Sequence, residues 1–382
     1  MTRRRLVAHI HPLIPRRQRA RGATVALVAL SGLAAACSTS SPSDRRDSSG
    51  NARVATGTRV DLTGAGATFP YPLYSRWFND YAQRTDVRIN YQSIGSGGGI
   101  RQMIEGTVDF GATDVPMTDA ELAQAGTPVV HIPTVLGAVA VTYNLPELKR
   151  PLRVSGDLLG LMFLGQLTKW NDSRLRALNP DQPLPASDIL VVHRADGSGT
   201  SYIFSDYLTS ASAAWAAGPG RGKDVLWPAG IGGKGNEGVA GQVKQMVGSI
   251  GYVEVVYARQ NFLPVAHIQN VAGRFISPMP YEIGSAAASA FNGAPSSRDL
   301  RSSLVNAPGD QSYPIASFTW ILLAPERIGR AKATQLYQFL QWALADGATT
   351  ASALGYVALP TVTATRVLAL IDTLAAAPLA KP

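Results

Sequence analysis

Residues 191 to 204, VVHRADGSGTSYIF, place Arg194, Asp196, Ser198 and Thr200 on alternate positions with glycines threaded between them. An arginine can donate two parallel hydrogen bonds to an oxyanion, and a carboxylate two residues on can hold the guanidinium in place. The hydroxyls of Ser198 and Thr200 add O–H donors. A surface salt bridge would also account for Arg194. Its position between a strand-like run and a Gly-rich turn favours a ligand instead.

Two other stretches repeat this construction. GAGATFPYPLYSRWF leads through glycines to Thr68 and Phe69, with Pro70 suited to the first turn of a helix. SIGSGGGIRQMI has Ser96 as a capping residue, then three glycines, then Ile100, Met103 and Ile104 on one face. Each reads as a strand, a small-residue turn and a helix N-terminus. Such a terminus presents unpaired N–H groups and the positive end of the macrodipole, and glycine lets an anion approach. One alone is an ordinary capped helix. Three with hydroxyls at their mouths read as one site whose donors fit a tetrahedral oxyanion.

VDFGATD, residues 108 to 114, ends a strand-like run on Asp114. A carboxylate repels an anion unless that anion carries a proton it can accept. Phosphate near neutral pH retains one and sulfate has none, so Asp114 in such a pocket would discriminate between them. Taken alone, Asp114 reads as a helix cap or a turn residue.

The elements behind these residues alternate. VRINYQSI, residues 87 to 94, is strand-like, and LYSRWFNDYAQ puts Leu73, Trp77 and Tyr81 on one helical face. SYIFSDYL offers Phe204, Tyr207 and Leu208, and GVAGQVKQMV offers Val239, Val243, Met246 and Val247. Strands alternating with helices imply an α/β class. No fixed-period repeat is present, which argues against a solenoid.

Apolar residues make up 46% of the 382 and charged residues 16%, which favours a folded body over disorder. The net charge of +9 misleads: residues 1 to 36 hold seven arginines and no acid, and without them it falls to +2. No nucleic-acid partner is expected from so local an excess. The Arg-rich start followed by ATVALVALSGLAAA, residues 23 to 36, reads as a signal peptide, too short for a span of about 20 residues. Cys37, the only cysteine, follows small residues and reads as the lipidated first residue of the mature chain. Leu33 lies four residues before it, one further than the usual lipobox spacing. Residues 37 to 58 form a Ser-rich tether.

Enzyme signatures are missing from the sequence. There is no HExxH or Cys/His cluster, so no metal is expected. DGSGT is not a G-x-S-x-G elbow, and no G-x-x-x-x-G-K-[ST] occurs. GIGGKG, residues 230 to 235, matches G-x-G-x-x-G in letters without a clear strand before it, so a dinucleotide is not expected. A phosphatase would need a nucleophile with its base or a metal set, and neither is visible. A surface adhesion lipoprotein would not need three anion-type helix mouths.

LTGAGATFPYPLYSRWF, YQSIGSGGGIRQMIEGTVDFGATDVPMTD, VVHRADGSGTSYIFSDYL and GIGGKGNEGVAGQVKQMVGSIGYVE together resemble the phosphate-specific substrate-binding lipoprotein of bacterial phosphate ABC transporters, the PstS family. The likeness runs from about residue 60 to about 376. It implies a two-lobed periplasmic-binding-protein fold of type II with the ligand in the cleft. One lobe would be residues 59–138 plus 316–382 and the other 139–315. Carried over by position, Thr68, Phe69, Ser96, Asp114, Arg194, Ser198, Gly199 and Thr200 would bind phosphate, with Asp196 orienting Arg194. The resemblance further implies no catalysis, no cofactor, delivery to membrane permease subunits with their ATPase, a monomer, and a lipid anchor on the extracytoplasmic face. Sulfate or molybdate is the rival ligand, and a secreted phosphatase the rival class. Gly97, where some relatives have a second Ser, and His193, where a basic residue is usual, depart from the pattern.

Overall fold

The computed structural model describes residues 60–291, 301 and 303–377. The expected signal peptide, Cys37 and the tether lie outside the described residues.

In chain order the first elements are β1 (Val60–Gly66), α1 (Tyr71–Arg84), β2 (Val87–Ser93), α2 (Ser96–Glu105), β3 (Phe110–Thr113), α3 (Asp119–Ala125) and β4 (Val130–Tyr143). There follow β5 (Arg153–Val154), α4 (Gly156–Phe163), α5 (Ser173–Leu178), β6 (Leu190–Arg194), α6 (Gly199–Ala211), α7 (Ala213–Ala216), β7 (Ile231–Gly233) and α8 (Gly235–Gln245). The last are β8 (Ser249–Glu254), α9 (Val255–Gln260), β9 (His267–Gln269), β10 (Phe275–Ile276), α10 (Pro280–Phe291), β11 (Ala316–Leu323), α11 (Arg330–Leu344), α12 (Gly347–Leu354) and α13 (Thr361–Ala376).

Eight strands form one sheet in the order β2-β1-β3-β11-β4-β8-β6-β7. The long β4 joins its two flanks. Val130–Ala138 pairs antiparallel with β11, and Val139–Tyr143 pairs antiparallel with β8. Beyond β11, β1 runs parallel to both β2 and β3. Beyond β8, β6 runs parallel to both β8 and β7. Every residue of β11 is buried, which explains why ASFTWILL shows no clean alternation. A small sheet, β10-β9-β5, packs apart from these.

The helices follow their apolar stripes. On α1, Leu73, Trp77 and Tyr81 are buried as expected, and Tyr74 and Phe78 widen the face. The rings of Tyr74, Phe78 and Phe110 pack around Tyr91 of β2, with centroids about 6 Å apart. On α6, Phe204, Tyr207 and Leu208 are buried. On α8, Val239 and Val243 are buried, but the helix stops at Gln245. Val247 therefore lies past its end and is 62% exposed, against the expected stripe.

The turns bring helix mouths to the strand ends. Gly95, in the left-handed region at φ 86°, precedes α2 in the position expected for a serine cap. Ser96 begins the helix instead, and its hydroxyl bonds elsewhere. GIGGKG itself spans a further unit: Ile231–Gly233 within it form β7 and its last glycine begins α8, so a fourth strand-turn-helix unit joins the three expected ones.

Candidate anion-binding site

Arg194 ends β6 with its side chain 1% exposed. Its Nε donates to Asp196 Oδ1 at 2.8 Å, and Nη2 donates to Asp196 Oδ2. Nη1 donates to Thr200 Oγ1 at 3.2 Å. A guanidinium has five N–H donors. The carboxylate occupies one edge, and one hydrogen on each of Nη1 and Nη2 remains for an oxyanion. Burial alone would raise the Asp196 carboxyl. The bonds and charge of Arg194, with the Gly235 N–H at 3.0 Å, outweigh it and hold Asp196 below its usual range. Asp196 is thus favoured in its ionised form, with its carboxylate against one edge of the Arg194 guanidinium.

Asp114 follows β3 and is 2% exposed. Thr319 of β11 donates to its Oδ1 at 2.8 Å, and Ser96 donates to its Oδ2 at 3.2 Å. The Asp114 N–H in turn donates to Ser96 Oγ at 3.1 Å. Burial pushes the carboxyl up to about 7, against the lowering pull of Thr319, Ser96 and the Arg194 charge. Its carboxyl is thus poised near neutrality, with one hydroxyl donor on each oxygen.

Gly199 and Thr200, adjacent at the start of α6, connect the Asp114 group to the Arg194 group. A β-carbon on Gly199 would fall 2.4 Å from Ser96 Oγ and 2.7 Å from Asp114 Oδ2. Glycine is required there by close approach. Nearby, the Gly97 N–H donates to the Gly197 carbonyl at 2.9 Å. A β-carbon on Gly97 would lie 3.1 Å from Gly197 Cα, so the departure from serine suits this tight backbone contact.

Thr68 is 2% exposed, and its Oγ1 accepts from Asn236 Nδ2 at 2.7 Å. The carbonyls around it are tied back by tyrosines. Tyr91 donates to Ala67, Tyr257 to Thr68 and Tyr356 to Phe69, at 2.7 to 2.8 Å. Phe69 itself packs its fully buried ring against Gly137 of β4, where a β-carbon would clash at 2.5 Å. Ser198 caps α6: its Oγ accepts from Ser201 N–H at 3.0 Å, leaving its O–H free to donate. No direct bond joins Phe69 or Ser198 to the other expected ligands.

Three sets of residues were not legible beforehand. Asn236, fully buried, is the second residue of α8, in the unexpected fourth helix mouth. Its amide reaches both Thr68 and Thr200. The strand-turn-helix pattern of GIGGKGN was the available signal. Thr319 and the three tyrosines arrive from distant elements and carry no local signal. Glu254, at the end of β8, is fully buried. Its Oε2 accepts from Val256 N–H at 2.8 Å, and its Oε1 has no partner. Burial holds this carboxyl well above its usual range. Among the described residues, no His, Cys, Asp and Glu cluster could hold a metal ion.

A family model described as a PBP superfamily domain matches residues 49–347, which defines the class: a two-lobed α/β binding protein. A solved phosphate-binding protein from Stenotrophomonas maltophilia has this fold at a TM-score of 0.63 and 19% identity, over 81% of this chain and 93% of that one. The chain is also 45% identical over 300 residues to the phosphate-binding protein PstS of Haemophilus influenzae, spanning 78% of this chain and 89% of that one. It is 43% identical over 303 residues to PstS of Xylella fastidiosa strain 9a5c, spanning 79% and 82%. The chain belongs to the PstS family of phosphate-binding proteins, which bind their ligand and are not enzymes.

Proposed function

We propose that the chain binds one inorganic phosphate in this site and delivers it to an ABC permease and its ATPase. Thr68, Phe69, Ser96, Arg194, Ser198, Gly199 and Thr200 donate to its oxygens, and Asp114 accepts its proton. The observation that carries the reading is one buried acceptor, Asp114, set among donors from three helix mouths and Arg194. A fully ionised anion such as sulfate would leave that carboxylate facing an oxygen with no hydrogen between them.

The lobes are residues 59–138 plus 316–382 and residues 139–315. The change of β4 partner between Ala138 and Val139 supports that division. Phosphate favours closure by contacting both lobes, because a ligand stabilises the state it binds better. The protein is a monomer held at the extracytoplasmic face by lipid on Cys37. Among the described residues, no helix is long and apolar enough to cross a membrane.

Calorimetry on ligand-stripped protein near pH 7, with phosphate and sulfate in parallel, tests the reading. One-to-one phosphate binding with no sulfate heat is expected, and Asp114→Asn should admit sulfate. Binding of neither anion would sink it. Release of phosphate from a generic ester, with or without divalent metal, would move the protein to the phosphatase class.

A further inference from the structure

Asn236 donates to a threonine from each side of the site. Its Oδ1 accepts from the Glu254 N–H at 2.8 Å, and a backbone N–H can only donate. That contact fixes the amide's orientation and directs Nδ2 at the two hydroxyls. One bond runs to Thr68 Oγ1 at 2.7 Å and the other to Thr200 Oγ1 at 3.2 Å. Both Nδ2 hydrogens are used.

Each hydroxyl oxygen receives a second N–H. Thr68 Oγ1 also accepts from the Asn236 backbone at 3.4 Å, and Thr200 Oγ1 also accepts from Arg194 Nη1 at 3.2 Å. A hydroxyl has two acceptor lone pairs and one donor hydrogen. With both lone pairs taken, its only remaining capacity is to donate. Among the described residues, neither hydroxyl hydrogen has a protein acceptor.

We propose that Asn236 is a positioning residue that makes Thr68 and Thr200 obligate donors to the bound anion. It touches no ligand atom and acts through the two hydroxyls. The role rests on the phosphate-binding reading above and deepens it. A hydroxyl free to rotate can accept as readily as donate, and orienting it before binding removes that cost. With these two hydroxyls fixed, acceptor capacity is left to Asp114 and to one lone pair on each of Ser96 and Ser198, and the site favours an anion with few protons.

The test is a mutant cycle read by phosphate calorimetry on the ligand-stripped full chain. Asn236→Ala is made in the wild type and in the Thr68→Val/Thr200→Val background. Residues acting as one unit are non-additive. In the wild type the substitution should weaken binding by about 10- to 100-fold, within the usual range for such coupling. In the valine background the further loss should shrink to about threefold or less.

An equal loss in both backgrounds would mean that Asn236 acts through packing, and would overturn the inference alone. So would no loss in the wild type. Wild-type protein that binds no phosphate would overturn the binding reading, and the inference with it. Neutron diffraction on the unmutated phosphate complex gives a check that survives a misfolded variant. The deuterons of Thr68 and Thr200 should both point at phosphate. A deuteron directed at Asn236 or at a carbonyl would overturn the assignment.

Discussion

Gly199 faces Asp114 so closely that a β-carbon on it would lie 2.7 Å from the carboxylate oxygen. The start of α6 and the end of β3 are thus fitted to one another without room for a methyl group. Overpacking of this kind costs about 1–3 kcal/mol. Gly199→Ala should therefore weaken phosphate binding by about 10- to 100-fold. The unliganded protein should melt near the wild-type temperature if α6 can back away from Asp114 when no ligand is bound. Calorimetry with a parallel melting curve checks both parts; unchanged affinity would show that the contact is not made in the bound state.

The raised carboxyl of Asp114 predicts a pH dependence of stability. Its folded pKa, about 7, lies above the ordinary carboxyl range. Between that range and 7 the folded protein holds a proton that the unfolded chain has released. Stability from this group is full at low pH and is lost as pH rises through 7, at a limiting slope of about 1.4 kcal/mol per pH unit. Glu254 has the same sign, because burial raises it too. His193 and His267 are lowered by burial and have the opposite sign. The difference between wild type and Asp114→Asn isolates the one group. Urea unfolding of ligand-free protein from pH 5 to 8 should show the wild type losing more stability than the variant. Parallel curves would contradict the burial-driven shift.

Lys223 pairs with Glu121 of α3, joining a segment of the proposed second lobe to the first. Glu121 also completes a capping box, its Oε2 accepting from the Thr118 N–H at 2.8 Å. Burial raises the Glu121 carboxyl, but Lys223 and Thr118 together hold it below its usual range. Substituting the lysine spares the cap. Lys223→Met should speed phosphate dissociation about two- to fivefold, as for a partly exposed ion pair. Stopped-flow measurement at low and high salt should show the wild-type rate rising toward that of the variant as salt is added. A salt-independent ratio would rule out an electrostatic latch.

The donor residues were legible because their signals are local. A strand end, a glycine turn and a helix start fall within about ten residues, so Arg194, Thr200, Ser96 and Thr68 can be placed from sequence. The α/β class follows from the same alternation. Partners brought by topology were not legible. Thr319 reaches Asp114 only because β11 pairs antiparallel with β3. Tyr356 reaches the Phe69 carbonyl across 287 positions of chain. Asn236 lay between these cases: its turn had the right letters, but β7 has only three residues, too short to read as a strand.

Arg194 gives the most direct test of the donor geometry. Asp196 holds the Nε and Nη2 edge, and Thr200 accepts from Nη1. A lysine keeps the charge but cannot bond Asp196, Thr200 and a ligand in one plane. Losing guanidinium hydrogen bonds while keeping the charge costs about 1.5–3 kcal/mol, so Arg194→Lys should weaken phosphate binding by about 10- to 100-fold. Asp196→Asn should cost less, because Asn can still accept from Nε through its oxygen while its amide nitrogen repels Nη2. If Asp196 works only by orienting the guanidinium, its substitution should add little once Arg194 is lysine. Calorimetry on the two single variants and the double measures this directly. Full additivity would mean that Asp196 supports the site by another route, with its bond to the Gly235 N–H at the start of α8 as the remaining connection.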